Sequence, residues 1–522
     1  MESAGKELAE TVQVGKGSFN RDDEVKTFFP KGLWGFLIYT LCLIAAAMML
    51  PAQALDSGSK QFIFIVGALA IWRYSWGMTH FIRALLYKNV VFPKHRKLER
   101  AYAKELMPSK VYLLVTSFRI ETDTSLAVFK SVIEEAIRCG VDCTIVPSIV
   151  EAADEKMVKT LFKQYNPPER VQLKIVRIPG TGKRDGLAQG FRAISRDMPP
   201  SDAVVAVVDG DSVLEDGLVS KTATFFKMMP DIGALTTDEE CEVKGSKIIR
   251  QWHSLRFAQR QLLMSSMGLS KRVLTLTGRM SMFRGSIITD PDFIKQVEDD
   301  YLEHWRFGRL RFLTGDDKSS WYWVLKNGWS MLYVPDVQIY TVEHPPHKNF
   351  LKASTVLMRR WFGNMLRTNE RALDIPPHTT GFFTWWCLLD QRMSMWTALS
   401  GPVFVTFLCI KYSIAFLAIY LVWIGFTRWV MSIMLLGARN EIHWSYPFLL
   451  YYNQIYGSLI KTYVFFRLDK QSWTRQKTKL SGKGTAMEQR MLNMSSLLLH
   501  SFALVVFVSL IGLISGVLKL PI

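Results

Sequence analysis

The run Ala203–Ser212, AVVAVVDGDS, constrains the fold of this chain more than any other stretch. Six small or β-branched apolar residues end abruptly in Asp209, Gly210 and Asp211. A Val-rich run too short for a helix predicts a buried strand of a parallel sheet. Open α/β sheets bind ligands at the carboxyl ends of such strands, so the two carboxylates predict a ligand site. The alternative is an ordinary surface turn, where the same triplet also occurs.

The chemistry of these two side chains narrows the ligand. Carboxylate oxygens suit Mg²⁺ or Mn²⁺, and Mg²⁺ typically takes one or two of them together with substrate phosphates. Asp209 and Asp211 therefore predict a metal that holds a nucleoside diphosphate.

Uncharged apolar stretches near the start of the chain predict membrane-spanning helices. Gly32–Leu50 holds 19 residues without a charge, which is long enough to cross a bilayer. Gln61–Leu86 follows it and carries Arg73 and Arg83. We expect Arg83 to reach the cytosolic interface, whereas Arg73 inside a span is a functional hypothesis by default.

A second apolar region begins after residue 378. It predicts an interfacial helix at Phe382–Leu389 that enters a span at Trp396–Ile410, a second span at Ser413–Leu436 and a last one at Met494–Val517. The stretch Tyr446–Phe466 is aromatic-rich but contains polar residues. It is either a poor span or a helix that lies in the membrane interface.

Basic residues set the expected orientation. Residues 88–104 and 467–490 are dense in Lys and Arg, so both are expected to face the cytosol together with the domain between the apolar regions. The formal net charge is +18. Because no nucleic-acid-binding motif accompanies it, we attribute this charge to contact with anionic lipid and with an anionic substrate. The six scattered Cys predict neither a zinc site nor a disulfide framework.

Residues 108–350 alternate between strand-like and helical patterns, which predicts a largely parallel mixed sheet flanked by helices. The predicted strands are Val111–Ser117, Cys143–Val150, Val171–Ile178 and Ala203–Ser212. The predicted helices are Thr122–Arg138, Ala152–Tyr165, Asp185–Arg196, Lys247–Met267, Lys318–Asn327 and, beyond the sheet, Asn349–Leu373.

The sequence also predicts the organisation of the whole chain. It comprises a tail at 1–31, two spans at 32–86, a cytosolic domain at 87–350, interfacial helices at 351–395, two spans at 396–437, an interfacial helix and cytosolic loop at 438–493, and a final span at 494–522.

Two further loops carry candidate site residues. The turn before Asp185 contains Lys183 and Arg184, and a helix amino terminus favours anions, so this is either a phosphate contact or a basic surface turn. The sequence LTGDD places Asp316 and Asp317 before a helix. They either cap that helix or supply a general base.

Taken in order, these motifs resemble the processive family-2 glycosyltransferases, the membrane synthases of cellulose, hyaluronan and related polymers. The similarity covers roughly residues 105–490. It is carried by the D-x-D triplet at 209–211, by Thr277-Gly278 through Arg284, by Thr314-Gly315-Asp316-Asp317, by Arg360-Trp361, and by Trp473-Thr474-Arg475.

The resemblance implies a GT-A α/β domain inserted between transmembrane helices, and it implies a role for each motif. Asp317, with Asp316, would be the catalytic base, and Asp209 and Asp211 would hold Mg²⁺ or Mn²⁺. The resemblance assigns binding of the donor diphosphate to Ser117, Lys183, Arg184 and Arg360. It assigns acceptor binding to Thr277, Gly278, Arg284 and Trp361, although Trp361 alone could equally be a core residue. It places a gating loop at Trp473, Thr474 and Arg475.

Two positions depart from the family pattern. Leu357 stands where the family has Gln, and 150–154 lacks the D-D-G that reads the uracil of a UDP donor. The stretches GTGKRDGLAQGFRAISR and RRWFGN are most similar to the mannuronan synthases, the bacterial alginate polymerases. That resemblance implies β-1,4 polymerisation of GDP-mannuronic acid at the bacterial inner membrane, and export of the growing polysaccharide. It also implies a separate cyclic-di-GMP-binding PilZ membrane partner and periplasmic export proteins.

A polyuronate carries one carboxylate per sugar and would need cations along its path, for which Arg73, Arg279, Arg392 and Arg428 are candidates. Two alternatives remain at this point. One is a synthase that uses a UDP-sugar donor. The other is a catalytically degenerate membrane scaffold, which the intact acids at 209–211 and 316–317 oppose.

Overall fold

The computed structural model describes residues 29–50, 60–473, 478–480 and 485–519, and within them a nine-stranded mixed β-sheet covered by helices forms the centre of the protein. The sheet contains β1 to β8 and β11, whereas β9 pairs with β10 and β12 with β13. The strands, numbered in chain order, are β1 Lys110–Thr116, β2 Asp142–Ile149, β3 Val171–Leu173, β4 Val176–Arg177, β5 Val204–Asp209, β6 Ser212–Leu214, β7 Ile232–Val243, β8 Met280–Arg284, β9 Tyr301–His304, β10 Gly308–Arg311, β11 Ser330–Glu343, β12 Gln471–Trp473 and β13 Thr478–Leu480.

The middle of the sheet is apolar on both faces. Successive side chains of a strand point to opposite faces, and all six residues from Val111 to Thr116 in β1 are buried. Helices therefore cover the sheet on both sides, which explains why β1 and β5 are continuous runs of Val, Leu and Ala rather than alternating sequences.

The strand order is β3-β2-β1-β5-β8-β7-β11-β6, with β4 beside β2. β1 runs parallel to β2 and β5, and β7 runs parallel to β11. β8 lies antiparallel between β5 and β7, and β6 lies antiparallel to β11. The predicted mixed, largely parallel sheet with flanking helices is confirmed.

The predicted strand at 203–212 is divided by the D-G-D triplet. β5 ends at Asp209, and β6 begins at Ser212. β5 lies in the middle of the strand order and β6 at its end, although only two residues separate them. The sheet therefore curls around Gly210 and Asp211. The predicted strand Val171–Ile178 is likewise two short strands, β3 and β4.

The helices around the sheet are close to those predicted, and two of them begin earlier than the sequence suggested. One starts at Lys183, after Gly182 with φ 146°, and the other at Asp316, after Gly315 with φ 88°. Glycine adopts such positive φ values without strain, so each helix starts directly behind its glycine. The helices of this region are Phe92–Ala101, Ala103–Leu106, Thr122–Arg138, Ala152–Tyr165, Lys183–Ser195, Leu218–Met228, Lys247–Gly268, Gly285–Ile288, Pro291–Glu298 and Asp316–Lys326.

In the described part of the chain, three helices are long and apolar enough to cross a membrane: Phe382–Lys411, Ala415–Gly437 and Ala486–Ile514. The two predicted N-terminal spans form the helices Leu33–Met48, apolar but 16 residues long, and Lys60–Leu86; neither belongs to that group. The other helices outside the sheet region are Phe350–Leu373, Pro377–Thr380 and Tyr446–Phe465, with a π-helical turn at Tyr87–Val91 and a 3₁₀ turn at Leu435–Gly437.

The two segments predicted at 382–389 and 396–410 form one continuous helix. The polar residues between them are satisfied by neighbouring helices instead of marking a boundary. Asp390 accepts from Arg73 at 2.5 Å, and the amide of Asn369 donates to Gln391 at 2.7 Å. Lys461, on the helix Tyr446–Phe465, donates to the hydroxyl of Ser394 at 3.0 Å.

A buried carboxylate in the sheet region gives a test of the fold. Glu135 accepts the backbone N–H groups of Gly217 at 2.6 Å and Val219 at 3.0 Å, where the helix Leu218–Met228 begins. A negative charge at a helix amino terminus is stabilising, and the loss of a charged hydrogen bond costs about 1.5–3 kcal/mol. We expect Glu135→Ala to lower the thermal unfolding midpoint of the full chain in detergent. Glu169→Ala, at an exposed position, is the control. Equal midpoints for the two variants would contradict this assignment.

Candidate active site

A cavity of about 990 Å³ lies where β1 and β5 end. Thr116 and Ser117 reach it from β1, and Asp209 and Asp211 from β5. The cavity thus occupies the position at which open α/β sheets bind ligands.

The D-G-D triplet is held against β1 by its glycine. Gly210 donates its N–H to the carbonyl of Thr116 at 2.8 Å, and Asp209 donates its N–H to the carbonyl of Arg279 at 2.9 Å. A Cβ atom at Gly210 would lie 2.7 Å from the Thr116 oxygen and 2.9 Å from the Ser117 Cα. Only glycine fits here, so the close backbone approach fixes the carboxylates on either side of it.

Asp316 and Asp317 reach the same cavity from the first turn of the helix Asp316–Lys326. Lys183 joins the two loops. Its ammonium group lies 3.2 Å from Asp209, 3.1 Å from Asp316 and 3.3 Å from the carbonyl of Gly278. The structure therefore brings together carboxylates that are more than one hundred residues apart in the sequence.

The charges of this cluster shift one another's proton affinities. Burial opposes the charge on Lys183, but Asp209, Asp316 and Asp317 together hold its pKa above the ordinary value. Burial also disfavours an ionised Asp316, yet Lys183 and Arg184 lower its pKa. Burial and the neighbouring Asp316 raise the pKa of Asp317. The two adjacent carboxyls are thus distinguished: Asp316 is the ion-paired one and Asp317 the more basic one.

The D-G-D carboxylates are the candidate metal ligands of the cavity. Among the described residues, no group of three or more His, Cys, Asp or Glu side chains forms a metal cage. Asp209 and Asp211 supply two carboxylates, and this donor set fits a Mg²⁺ or Mn²⁺ ion that completes its shell with diphosphate oxygens.

Several other predicted site residues line the cavity. They are Ser117, Thr277, Gly278, Arg360 and Trp361. The hydroxyl oxygen of Ser117 is buried and makes no hydrogen bond within the described residues, so it is available to a ligand. Trp361 packs against Trp252, and a neighbouring arginine, Arg256, covers its ring at 3.5 Å from the centroid.

Two predicted site arginines have other contacts. Arg184 donates to the carbonyl oxygens of Val297 at 2.8 Å and Thr314 at 3.1 Å, so it braces the loop in front of Asp316. Arg284 is not brought to the cavity. It pairs with Val204 at the opposite end of β5 from Asp209, and it donates to the carbonyl oxygens of Phe226, Met229 and Ile232. Met280 pairs with Val208, next to Asp209, and Arg284 lies four positions further along the extended strand β8, which carries it away from the cavity.

The predicted gating loop is described only at its start. Trp473 ends β12, and Thr474 and Arg475 lie outside the described residues. The side chain of Gln471 connects β12 to the loop that precedes Asp316 and Asp317. It accepts the N–H of Leu313 at 3.1 Å and donates to the carbonyl of Arg311 at 2.7 Å.

The arginines predicted along a polymer path all have partners. Arg73 pairs with Asp390, and Arg392 lies 3.4 Å from Glu370. Arg279 lines the cavity and pairs with Glu239 and Glu343, and Arg428 donates to Gln454.

The cavity is also lined by residues that the motif analysis did not single out. His253, Arg256, Phe257 and Arg260 come from the helix Lys247–Gly268, and Glu239 comes from β7. The helical residues follow the spacing i, i+3, i+4, i+7, which marks one face of a helix. That spacing, with two arginines and a histidine on a predicted helix, is the signal that could have identified them.

This fold and cavity define a family-2 glycosyltransferase of the GT-A type. Residues 108–364 match the family model described as "Glycosyltransferase like family 2". The chain is 55% identical to "Glycosyltransferase alg8" of Pseudomonas syringae pv. tomato (strain ATCC BAA-871 / DC3000) over 447 residues, 86% of this chain and 91% of that protein. It is 49% identical to "Glycosyltransferase alg8" of Azotobacter vinelandii over 479 residues, 92% of this chain and 97% of that protein.

The chain therefore belongs to the family-2 glycosyltransferases, and it is an enzyme close to the alginate polymerase, which confirms the resemblance of its motifs. Among solved structures, the mannosyltransferase PcManGT from Pyrobaculum calidifontis, in complex with GDP-Man and Mn²⁺, is similar with a TM-score of 0.43 and 13% identity. The match covers 69% of this chain and 97% of that one.

The close approach at Gly210 predicts a defect in the site. In Gly210→Ala the added methyl group meets backbone atoms of Thr116 and Ser117, and overpacking of this kind costs about 1–3 kcal/mol. We expect the triplet to shift and sugar transfer by the full chain in membranes to fall at least about tenfold. Gly77→Ala is the matched control, because a Cβ there meets no atom within 4 Å. Unchanged transfer in Gly210→Ala would show that this backbone contact does not position the carboxylates.

Proposed function

We propose that this enzyme is a processive, inverting glycosyltransferase that polymerises GDP-mannuronic acid into β-1,4-linked polymannuronate and passes the polymer through the inner membrane. The observation that carries the proposal is the Lys183 bridge, which brings Asp209 and Asp316 into one cavity. A pocket of this volume is large enough for a nucleotide sugar.

The chemistry begins with binding of the donor. Asp209 and Asp211 would hold the metal ion, which when bound would stabilise negative charge on the departing diphosphate. Lys183 and Arg360 also line the cavity, and they neutralise the diphosphate further, with Ser117 as a neutral hydrogen-bonding partner. Arg184 acts as a positioning residue through its contacts with Val297 and Thr314.

Asp317 is the general base. It removes the proton of the acceptor's 4-hydroxyl, whose oxygen forms the new bond to the anomeric carbon while the bond from that carbon to the diphosphate breaks and GDP leaves. The raised pKa of Asp317 favours this residue as the base. Asp316 is less suited, because its ion pair with Lys183 keeps it ionised and engages its carboxylate. A single displacement converts an α-linked donor into a β-linked product.

The acceptor end of the chain would lie near Thr277, Gly278 and Trp361. An ideal Cβ at Gly278 would lie 3.9 Å from the carboxyl carbon of Asp317, so this loop is next to the base. We assign the gating role to Trp473, Thr474 and Arg475. The hydrogen bond from Leu313 to Gln471 connects β12, which ends at Trp473, to the loop that precedes Asp316 and Asp317.

The two relatives named alg8 support an alginate-associated glycosyltransferase, and the missing D-D-G at 150–154 is the sequence feature that opposes a UDP donor. The polymer would leave between the apolar helices. Arg73, Arg279, Arg392 and Arg428 would exchange their present partners for uronate carboxylates along the path.

The basic segments 88–104 and 467–490 keep the catalytic domain on the cytosolic side. A separate PilZ membrane partner that binds cyclic di-GMP and periplasmic export proteins complete the assembly.

The base assignment is tested with Asp317→Asn in membranes supplied with GDP-mannuronic acid. We expect polymer formation to fall by about 10²- to 10⁴-fold, with GDP binding retained, because the amide cannot accept the proton. Asp216→Asn, at an exposed carboxylate outside the cavity, is the control. Near wild-type polymer from Asp317→Asn would exclude this residue as the base.

The donor base is tested by product inhibition. GDP should inhibit incorporation of the radiolabelled sugar at concentrations at least about tenfold below those needed with UDP, since only the matching base satisfies the polar groups of its pocket. Stronger inhibition by UDP, together with incorporation from a UDP-sugar, would assign the enzyme to the UDP-dependent synthases instead.

A further inference from the structure

One wall of the cavity presents a positive charge that the proposed reaction has not used. Arg256 lies on the helix Lys247–Gly268, on the same face as His253 and Arg260, and lines the cavity. Its guanidinium lies 3.5 Å from the ring centroid of Trp361 and 4.9 Å from that of Trp252. Contacts with aromatic faces hold a cation in place without neutralising it.

Arg256 differs from the neighbouring Arg260 and Arg279 in forming no ion pair within the described residues. Arg260 lies 3.2 Å from Glu239, and Arg279 pairs with both Glu239 and Glu343. Within the described residues, the guanidinium of Arg256 makes no ion pair and no hydrogen bond. The acids of this wall are therefore engaged by other arginines.

Burial and neighbouring arginines disfavour the charge on Arg256. Burial, Arg279 and Arg360 lower its pKa to about 9, against the opposing effects of Glu343 and Glu239. Burial, Arg256 and Arg279 lower the pKa of His253 to about 3, so this histidine is neutral at physiological pH. An anion bound beside Arg256 would relieve the repulsion among these cations.

The position of Arg256 identifies which anion fits. The proposed reaction already assigns the diphosphate to the metal held by Asp209 and Asp211 and to Lys183. A uronic sugar carries one further anionic group, its carboxylate. A planar guanidinium binds a carboxylate through two parallel hydrogen bonds, and its two aromatic supports reduce the entropy lost on binding.

We propose that Arg256 binds the carboxylate of a uronic acid unit in the cavity, either on the donor sugar or on the end of the growing chain. The assignment rests on the proposed function. It makes Arg256 the residue that distinguishes a uronic acid from the corresponding neutral hexose.

The experiment uses the full chain in membranes with its partners, in three variants: Arg256→Gln, Arg256→Lys and, as matched control, Arg250→Gln on the exposed face of the same helix. One arm measures binding of GDP-mannuronic acid, GDP-mannose and GDP. The other measures binding of oligomannuronate and of the same oligosaccharide after reduction of its carboxyl groups.

We expect Arg256→Gln to weaken binding of the carboxylate-bearing ligand by about 10- to 100-fold, the effect of losing a charge-assisted pair, while its neutral counterpart binds as before. Arg256→Lys should give an intermediate loss, and Arg250→Gln none. A change in the donor arm assigns the carboxylate to the incoming sugar, and a change in the oligosaccharide arm assigns it to the chain end. Unchanged GDP affinity shows that the domain of each variant is folded.

Two results would overturn the inference. Arg256→Gln could bind both carboxylate-bearing ligands like the wild type, or it could lose charged and neutral ligands equally, which indicates a structural role. Either result leaves the proposed function standing if the wild type polymerises GDP-mannuronic acid. A wild type that does not use this donor would overturn both proposals.

Discussion

The ammonium group of Lys183 connects the two acidic loops on which the site depends. It lies within 3.2 Å of Asp209 and 3.1 Å of Asp316, in a cavity where burial weakens screening by water. Without a cation at this point, the carboxylates at 209–211 and 316–317 would repel one another, and the hydrogen bond from Arg184 to Ser319 would remain as a contact between the helices that begin at 183 and 316. The same charge makes Asp316 and Asp317 different, because it stabilises the ionised form of the first and leaves the second more basic.

The residues that line the cavity form two groups of different charge, and Arg279 contacts both. Its backbone carbonyl accepts the N–H of Asp209, whereas its guanidinium pairs with Glu239 and Glu343. The first group combines carboxylates with Lys183, which suits a metal ion and a diphosphate. The second combines arginines with tryptophans, which suits an anionic sugar. In a nucleotide-linked uronic acid the diphosphate is attached to C1 and the carboxylate to C5 of the same ring, so a single bound donor can contact both groups.

Local chemistry explains which features the sequence could predict. The Val-rich β5 and its terminal acids were recognisable because burial on both faces and a strand end each leave a residue pattern. The starts of the helices at Lys183 and Asp316 were missed by two residues, although Gly182 and Gly315 precede them and mark the turn. Arg284 shows the limit of motif matching. A motif gives sequence spacing, but in an extended strand that spacing carries a side chain away from the site, and strand length is fixed by pairing with β5 and β7.

The cavity residues His253, Arg256 and Arg260 were not predicted, for a different reason. The spacing of His253, Arg256 and Arg260 marks one face of the helix Lys247–Gly268, but it does not reveal that this face meets the cavity, because the orientation of the helix depends on tertiary contacts. The ring N–H of Trp252 donates to Asn453 at 2.7 Å, and the hydroxyl of Ser266 lies 2.9 Å from His80. One end of this helix is therefore anchored to Tyr446–Phe465 and the other to Lys60–Leu86, while its middle carries Arg256. Because both anchors are apolar helices, a shift of either one would move Arg256 relative to Asp209 and Asp211 at the end of β5.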